Sequence, residues 1–321
     1  MTGLNFGRGG GVAEVTIDAS LCNACGLCAR VCKGAPLYME GGSVRVDQSR
    51  MFGCIACGHC MTVCPNDAIT VRGRDFGPED MLALPTLAQR ADYDALRNLL
   101  LARRSVREFK AHELEPALVE RILDAASTAP MGVPPSEVGV LVFEGRAAVK
   151  AFRDDLLQVL VGWRKMFALP VGWAMRPFMS SADYEAMQEF VLPAIEKYVE
   201  GAREGEDWFF YDAPLALYFY ASAQADMADP FISATYAMLA GQALGLGSCM
   251  LGFPGYAMKQ SKALQAKYAL PAHAQQGIVV IFGYPAIRHR KAVRRRFARV
   301  QVYGEATGQN TSNPQELARD Q

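Results

Sequence analysis

Two runs of cysteine carry the chemistry of this chain: Cys22-x-x-Cys25-x-x-Cys28-x-x-x-Cys32 and Cys54-x-x-Cys57-x-x-Cys60-x-x-x-Cys64-Pro65. Together they hold eight of its nine cysteines. Three thiolates within seven residues can reach three irons of one cubane cluster if the backbone curls around it, and the small residues between them permit the curl. A fourth ligand must then come from farther along the chain. The competing readings are two four-cysteine zinc sites and a disulfide framework. Structural zinc usually takes cysteines in separated pairs, and disulfide-dense scaffolds are short secreted chains. The spacing points instead to two [4Fe–4S] clusters, and so to a protein that handles electrons.

The elements that must position these thiolates repeat with them. The runs are offset by 32 residues, and Ile17-Asp18 leads into the first as Met51-Phe52 leads into the second. Alternating stretches at Val12–Ile17 and Ala68–Val71 read as short strands flanking the loops. Over about residues 12 to 75 the chain resembles the bacterial two-cluster ferredoxin family. In that arrangement the fourth cysteine of each run serves the other cluster. The resemblance therefore implies that cluster one takes Cys22, Cys25, Cys28 and Cys64, and cluster two takes Cys54, Cys57, Cys60 and Cys32. One departure stands out: Pro65 follows Cys64, but Lys33-Gly34-Ala35 follows Cys32 and displaces Pro36. The surroundings of the two clusters are therefore expected to differ. A module this small cannot stabilise itself by apolar burial, so the clusters supply cross-links. Residues 1 to 75 contain seven Lys or Arg against six Asp or Glu. A free-standing ferredoxin that docks on partners is expected to be acidic, so this one is expected to serve its own enzyme.

The remaining length fits one larger domain: the chain has 321 residues and a formal net charge of zero, a balance that gives no pointer to nucleic acid. Unpaired thiols in this number fit a reducing compartment, and Met1 to Ser20 has no apolar core of signal-peptide type, so a cytoplasmic protein is expected. Gly9-Gly10-Gly11 lacks the Lys-Ser/Thr of a phosphate loop, and the stretch reads as a tail. Ile232–Phe253 carries no charge, but Gly241, Gln242, Gly245, Gly247 and Gly252 interrupt it. It reads as a buried helix running into a glycine loop and not as a membrane span. The expected organisation is a cluster module over 1–75, a linker over 76–90, a larger domain over 91–303 with a helical insert at about 147–211, and a tail over 304–321. Gly77-Pro78 and Pro85 mark the linker.

After the linker a helix at about Ala91–Arg103 ends in Arg103-Arg104-Ser105-Val106-Arg107. Three guanidiniums and a hydroxyl at a helix end can surround a phosphate, although an Arg-rich turn is more often a solvated face. Its context raises the phosphate reading. A helix over Leu118–Thr128 runs into Ala129-Pro130. A strand covers Ala213–Ser222, and an apolar helix over Asp229–Leu244 feeds the glycine turn Gly245–Phe253. The buried strand Gly277–Tyr284 closes on Gly283-Tyr284-Pro285. These five pieces, in this order over roughly residues 92 to 302, resemble the nitroreductase family of FMN enzymes.

That resemblance implies an α+β fold, with a small ferredoxin-like domain followed by a central, mostly antiparallel sheet flanked by helices, in an intertwined homodimer with FMN at the interface. It also implies roles for particular residues. Arg103, Arg104, Ser105 and Arg107 would meet the phosphate, ribityl and pyrimidine edge, with Arg295, or less well Arg290, as a second phosphate ligand. The N–H of Leu251, with Gly252 beside it, would face flavin N5, the atom that passes hydride. Pro130, Met131 and Gly132 would reach the flavin of the partner subunit. Many members carry Ser and then Asn and Gln after that proline, whereas this chain has Met131-Gly132-Val133-Pro134-Pro135-Ser136.

Residues 288 to 299 hold seven Lys or Arg in twelve positions with only Phe297 as an aromatic, which reads as a flavin-phosphate ligand plus solvated neighbours and not as a nucleic-acid patch. The insert is loaded with Trp163, Met166, Phe167, Trp173, Met175, Phe178, Met179, Tyr184, Met187, Trp208, Phe209, Phe210 and Tyr211. Such stripes are more often core, yet they also suit an apolar lid over a flat ligand. Cys249 reads as a small buried hydrophobe. No residue singles itself out as a proton donor. The function expected is an oxidoreductase: an external low-potential donor of ferredoxin or flavodoxin type feeds two [4Fe–4S] clusters, these feed FMN, and FMN delivers two electrons to a small organic acceptor such as a nitroaromatic, a quinone, an enone or a specific biosynthetic intermediate. The alternative is an electron-transfer partner flavoprotein, or an FMN-holding protein without turnover.

Overall fold

The computed structural model describes residues 13–32, 35–132, 137–167, 176, 180–301 and 303. The chain divides into two compact units, residues 1–287 and 288–321. Within the first unit the cluster module is closed by its two ends: β1 (Glu14–Ile17) pairs antiparallel with β4 (Ile69–Arg72), Glu14 opposite Arg72 and Ile17 opposite Ile69. Between them lie α1 (Leu27–Val31), the hairpin of β2 (Leu37–Glu40) and β3 (Ser43–Val46), and α2 (His59–Thr62). The hairpin was not read from the sequence. Its signal is Gly41-Gly42, both at positive φ (56° and 75°), as a two-residue turn of primed type requires.

The internal repeat is visible in the backbone itself. Ala24 and Gly26 in the first cysteine loop are left-handed (φ 55° and 71°), and so are Ala56 and Gly58 in the second (φ 57° and 74°). Left-handed alanine costs about 1 to 2 kcal/mol. Its recurrence at equivalent places means the cysteine loops are held by something stronger than local preference. The small core beneath them buries Ala13, Leu37, Met61, Ile69 and Val71 together with Cys28 and Cys60.

The segment expected as a plain linker begins as a packed turn. Gly73 N–H donates to Phe76 O at 3.0 Å, and Phe76 joins the module's core. Short 3₁₀ turns follow at Pro78–Asp80 and Leu87–Gln89. Asp92 then accepts from the N–H of Ala95 at 2.7 Å and caps α3 (Tyr93–Ala102).

The larger domain is built on four antiparallel strands in the order β5-β6-β8-β7: β5 (Val138–Glu144), β6 (Leu215–Ala221), β7 (Gly247–Leu251) and β8 (Ile278–Gly283). The two inner strands are continuously apolar, Leu-Ala-Leu-Tyr-Phe-Tyr-Ala and Ile-Val-Val-Ile-Phe-Gly, which suits strands buried on both faces. One face is covered by α5 (Arg146–Phe167) and, after α6 (Ser181–Ala186) and a π turn at Met187–Val191, by α7 (Leu192–Glu204). Phe152, Leu156 and Leu160 recur every fourth residue along α5 and are fully buried, about 1.5 to 3 kcal/mol each by transfer from water. The other face is covered by α4 (Pro116–Ser127) and α8 (Asp229–Ala243). Two short helices, α9 (Gly252–Gln260) and α10 (Lys262–Lys267), lead to β8.

The stretch expected as a glycine turn from Gly245 to Phe253 is corrected. Gly247–Leu251 is strand β7, with Gly247 opposite Gly283 and Leu251 opposite Val279, and Gly252 opens α9. Glycine content suggested a loop, but edge pairing to β8 satisfies this backbone. Among the described residues no helix is long and apolar enough to cross a membrane. The second unit carries no helix or strand among its described residues, and Arg290 and Arg295 lie in it. Several expectations fall outside the described residues: the tails over 1–12 and 304–321, Lys33-Gly34, Val133 to Ser136, and Trp173, Met175, Phe178 and Met179 of the insert. The side chains of Met166 and Phe167 do so as well.

Candidate cofactor sites

The eight cysteines fall into two sets, each drawing on both runs. Cys22, Cys25, Cys28 and Cys64 line one pocket, with Ile17, Leu21 and Val44 among its walls. Cys32, Cys54, Cys57 and Cys60 line a second cavity of about 550 Å³, whose far side is Ser127, Ala129, Pro130, Met131 and Gly132 of the larger domain. Among the described residues no group of three or more His, Cys, Asp or Glu converges closely enough to hold a single metal ion.

Burial pushes the Cys60 thiol up to about 12, with the neighbouring Cys54, Cys57 and Cys32 adding to the rise. Cys28 and Cys54 are also raised, first by burial. Thiols crowded in a dry site resist ionisation on their own, and the positive charge of an iron core is what such a donor set lacks. Two backbone groups already point at sulfur: Ala68 N–H donates to Cys64 Sγ and Val71 N–H to Met61 Sδ, both at 3.2 Å. A donor on a ligand sulfur is one of the levers on cluster potential.

The arginine segment leaves α3 and docks along the sheet. Val106 N–H donates to Ser248 O at 2.9 Å, Lys110 N–H to Tyr284 O at 2.8 Å, and Ala286 N–H to Glu108 O at 2.9 Å. The close approach needs glycine at 247, where a Cβ would meet the Val106 side chain at 2.7 Å. Arg103 and Arg104 are half-buried, while Ser105 and Arg107 are exposed. Arg104 Nη1 donates to Arg103 O at 2.6 Å, and its Nη2 is buried without a partner. Among the described residues none of these three guanidiniums pairs with a carboxylate. A buried, unmatched donor among uncompensated cations fits an anionic phosphate.

Arg107 also organises groups that the sequence left without a role. Its guanidinium lies 5.8 Å from the Tyr211 ring centre and near enough to the buried Cys249 for its charge to act on the thiol. Burial raises the Cys249 thiol and the Tyr211 phenol, and the Arg107 charge pulls each part of the way back. Asp207 accepts from the N–H of Phe209 at 3.0 Å and of Phe210 at 2.8 Å, which fixes the turn that leaves Tyr211 left-handed at φ 57°. Of the insert's aromatics, Phe209 and Phe210 are core, and Trp163 packs edge-on to Phe253 and Tyr256. Gly132 N–H donates to both carboxylate oxygens of the buried Asp229 at 3.1 Å, which anchors the loop that carries Pro130 and Met131. Leu251 closes β7 and Gly252 follows it at the start of α9.

Residues 100–284 match the profile described as the nitroreductase family. The chain belongs to the nitroreductase family. Residues 14–65 match the 4Fe-4S dicluster domain, so a nitroreductase domain follows a dicluster ferredoxin domain in one α+β chain. The dicluster domain implies two [4Fe–4S] clusters, and membership of the nitroreductase family makes the chain an oxidoreductase. Among solved structures it is similar to a nitroreductase with bound FMN from Desulfitobacterium hafniense DCB-2 (19% identity, 62% of this chain and 93% of that one, TM-score 0.43). It is also similar to a nitroreductase with bound FMN from Bacteroides fragilis NCTC 9343 (16% identity, 65% and 98%, TM-score 0.46), and to an FMN-dependent nitroreductase from Clostridium difficile R20291 (18% identity, 64% and 98%, TM-score 0.43). No curated protein matches the chain. Sequence reasoning missed three features of this nitroreductase's sites: the Asp229 anchor, the position of Tyr211 beside Arg107, and an ion pair between Arg74 and Glu137. Each joins residues distant in sequence and carries no local pattern.

Proposed function

We propose that the N-terminal module takes electrons one at a time from an external low-potential donor of ferredoxin or flavodoxin type and delivers them to the nitroreductase domain, which passes two electrons, as hydride, to a small, flat, apolar organic acceptor. The observation that carries this reading is the shared cavity: the Cys32, Cys54, Cys57, Cys60 set faces the Ala129–Gly132 loop of the nitroreductase domain across it. FMN, when bound, supplies the conversion between one-electron supply and hydride delivery. The cysteine sets that line the two pockets are the ligand sets of this reading. Arg103, Arg104, Ser105 and Arg107 hold the flavin's phosphate end, and Leu251 with Gly252 stands at its reactive edge. Tyr211, held beside Arg107, borders the flavin site in this reading, with the buried Cys249 packed behind it.

A second copy of the chain belongs to the same proposal. No residue of α3 is buried, and Leu82, Leu84, Leu87, Tyr93, Leu96 and Leu100 expose between 45% and 88% of their surface. Large apolar side chains exposed in this number along one segment are what an interface covers. The reading is tested with Cys57→Ala in the anaerobic full-length protein. Reduction of the flavin through a ferredoxin-type donor is expected to slow strongly, while a small reductant that reaches the flavin directly still supports turnover of an acceptor. Donor-driven reduction at the parent rate would refute the wire. A parent protein whose directly reduced flavin turns over no acceptor would favour an electron-transfer partner or holding protein instead.

A further inference from the structure

The turn after β4 touches both domains. Phe76 lies over the second cysteine loop, with its ring 2.7 Å from where a Cβ on Gly58 would stand. Two residues earlier, Arg74, left-handed at φ 58°, sends Nη2 to Oε1 of Glu137 at 2.9 Å, and the two side chains are only 5% and 14% exposed. Glu137 leads into β5, and its carbonyl accepts from the N–H of Ser222 at 3.1 Å, so its backbone is tied to the central sheet. Gly132, on the cavity wall, is held separately by Asp229. The Ala129–Gly132 wall of the cavity is thus fastened on one side by Asp229, and the ion pair fastens Glu137 to the cysteine module.

A buried ion pair is a poor way to gain stability, since desolvation offsets most of its Coulomb energy, and its best-attested use is to fix register. Here the pair joins a cluster-bearing module to the wall that faces it. A fixed charge beside an iron–sulfur site is also a lever on its potential, and Arg74 stands two residues before Phe76, whose ring covers Gly58 of the second cysteine run.

We propose that the Arg74–Glu137 pair is a positioning device that clamps the second cysteine run to the Ala129–Gly132 wall and sets the potential of the cluster this run holds, which makes that run the outlet of the module and the Cys22, Cys25, Cys28 set its inlet. The proposal rests on the wire reading given above. The couple concerned moves one electron, supplied by the ferredoxin- or flavodoxin-class donor, and makes or breaks no bond. A cation nearby favours the more negative, reduced form, and the carboxylate opposes it. Removing the carboxylate charge therefore raises the potential, and removing the guanidinium lowers it.

The test is a redox titration of the full-length holoprotein followed by electron paramagnetic resonance, with the two signals assigned by their loss in Cys25→Ala and Cys57→Ala. Glu137→Gln should increase the ratio of reduced to oxidised second-run cluster about two- to tenfold at a fixed poise, and Arg74→Gln should decrease it similarly. Arg74→Lys should hold it near the parent, and the first-run signal should not move in any of the three. A second-run potential unchanged in Glu137→Gln, or both potentials moving together, would overturn the proposal. Should Glu137→Gln fail to retain iron, the two Arg74 variants decide, and equal behaviour of Gln and Lys there would overturn it. Failure of the wire reading looks different: the potentials shift as described while Cys57→Ala leaves donor-driven flavin reduction untouched.

Discussion

Gly58→Ala places a methyl group in the tightest spot of the second cysteine loop. The backbone there is left-handed at φ 74°, and the nearest atom to the new Cβ would be Phe76 Cζ at 2.7 Å. Gly42 offers the comparison, because its φ of 75° is the same and nothing lies within 4 Å of a Cβ. Both changes carry the left-handed penalty of about 1 to 2 kcal/mol. Only Gly58→Ala must also displace a packed ring, which adds about 1 to 3 kcal/mol by the usual cost of overpacking. The added part corresponds to roughly a five- to hundredfold increase in the open population of the loop. Iron release to a chelator under anaerobic conditions reads that population, provided the loop recloses faster than iron leaves. Gly58→Ala is expected to release iron faster than Gly42→Ala by that factor, with the second-run signal lost first. Adding Phe76→Leu should recover part of the loss, as contacting residues couple non-additively. Equal release rates in the two glycine variants would show that Phe76 does not hold the loop shut.

Two further outcomes are expected. Anaerobically purified protein should carry about eight iron and eight sulfide per chain, as two cubanes require, with one FMN; iron without sulfide would return the cysteines to mononuclear sites. Arg104→Ala and Arg107→Ala should each weaken FMN retention about ten- to hundredfold, the loss of a charge-assisted contact of about 1.5 to 3 kcal/mol, with iron content unchanged, and retention like the parent in both would remove the arginine segment from the phosphate site.

The parts that the sequence announced are those whose signal is local. Cysteine spacing told of the two pockets because each loop must curl within a few residues. The stretches Ala213–Ser222 and Gly277–Tyr284 read as strands, the second as a buried one, and they contain β6 and β8; the insert at about 147–211 reads as helical and contains most of α5. Where glycine serves two purposes, the reading failed: Gly247 is needed to let Val106 approach, yet composition alone reads it as a turn. The β2–β3 hairpin was passed over because its four-residue strands are short and partly exposed, leaving Gly41-Gly42 as the one clear mark. The pairings of Arg74 with Glu137, Gly132 with Asp229 and Arg107 with Tyr211 span 63, 97 and 104 positions. No window along the chain contains them.

The closure of the cysteine module by its own ends has a consequence for how it is made. On the ribosome, the first twenty-eight residues already present Cys22, Cys25 and Cys28, but the pocket they line is completed by Cys64, and the sheet that holds it pairs Glu14 with Arg72. The first run therefore waits, open and thiol-rich, while more than forty further residues are synthesised. Cys32 waits in the same way for Cys54, Cys57 and Cys60. The second set is complete once Cys60 has been made, whereas the first needs Cys64 and the pairing of β1 with β4, so the run that is made first is the one whose site closes last.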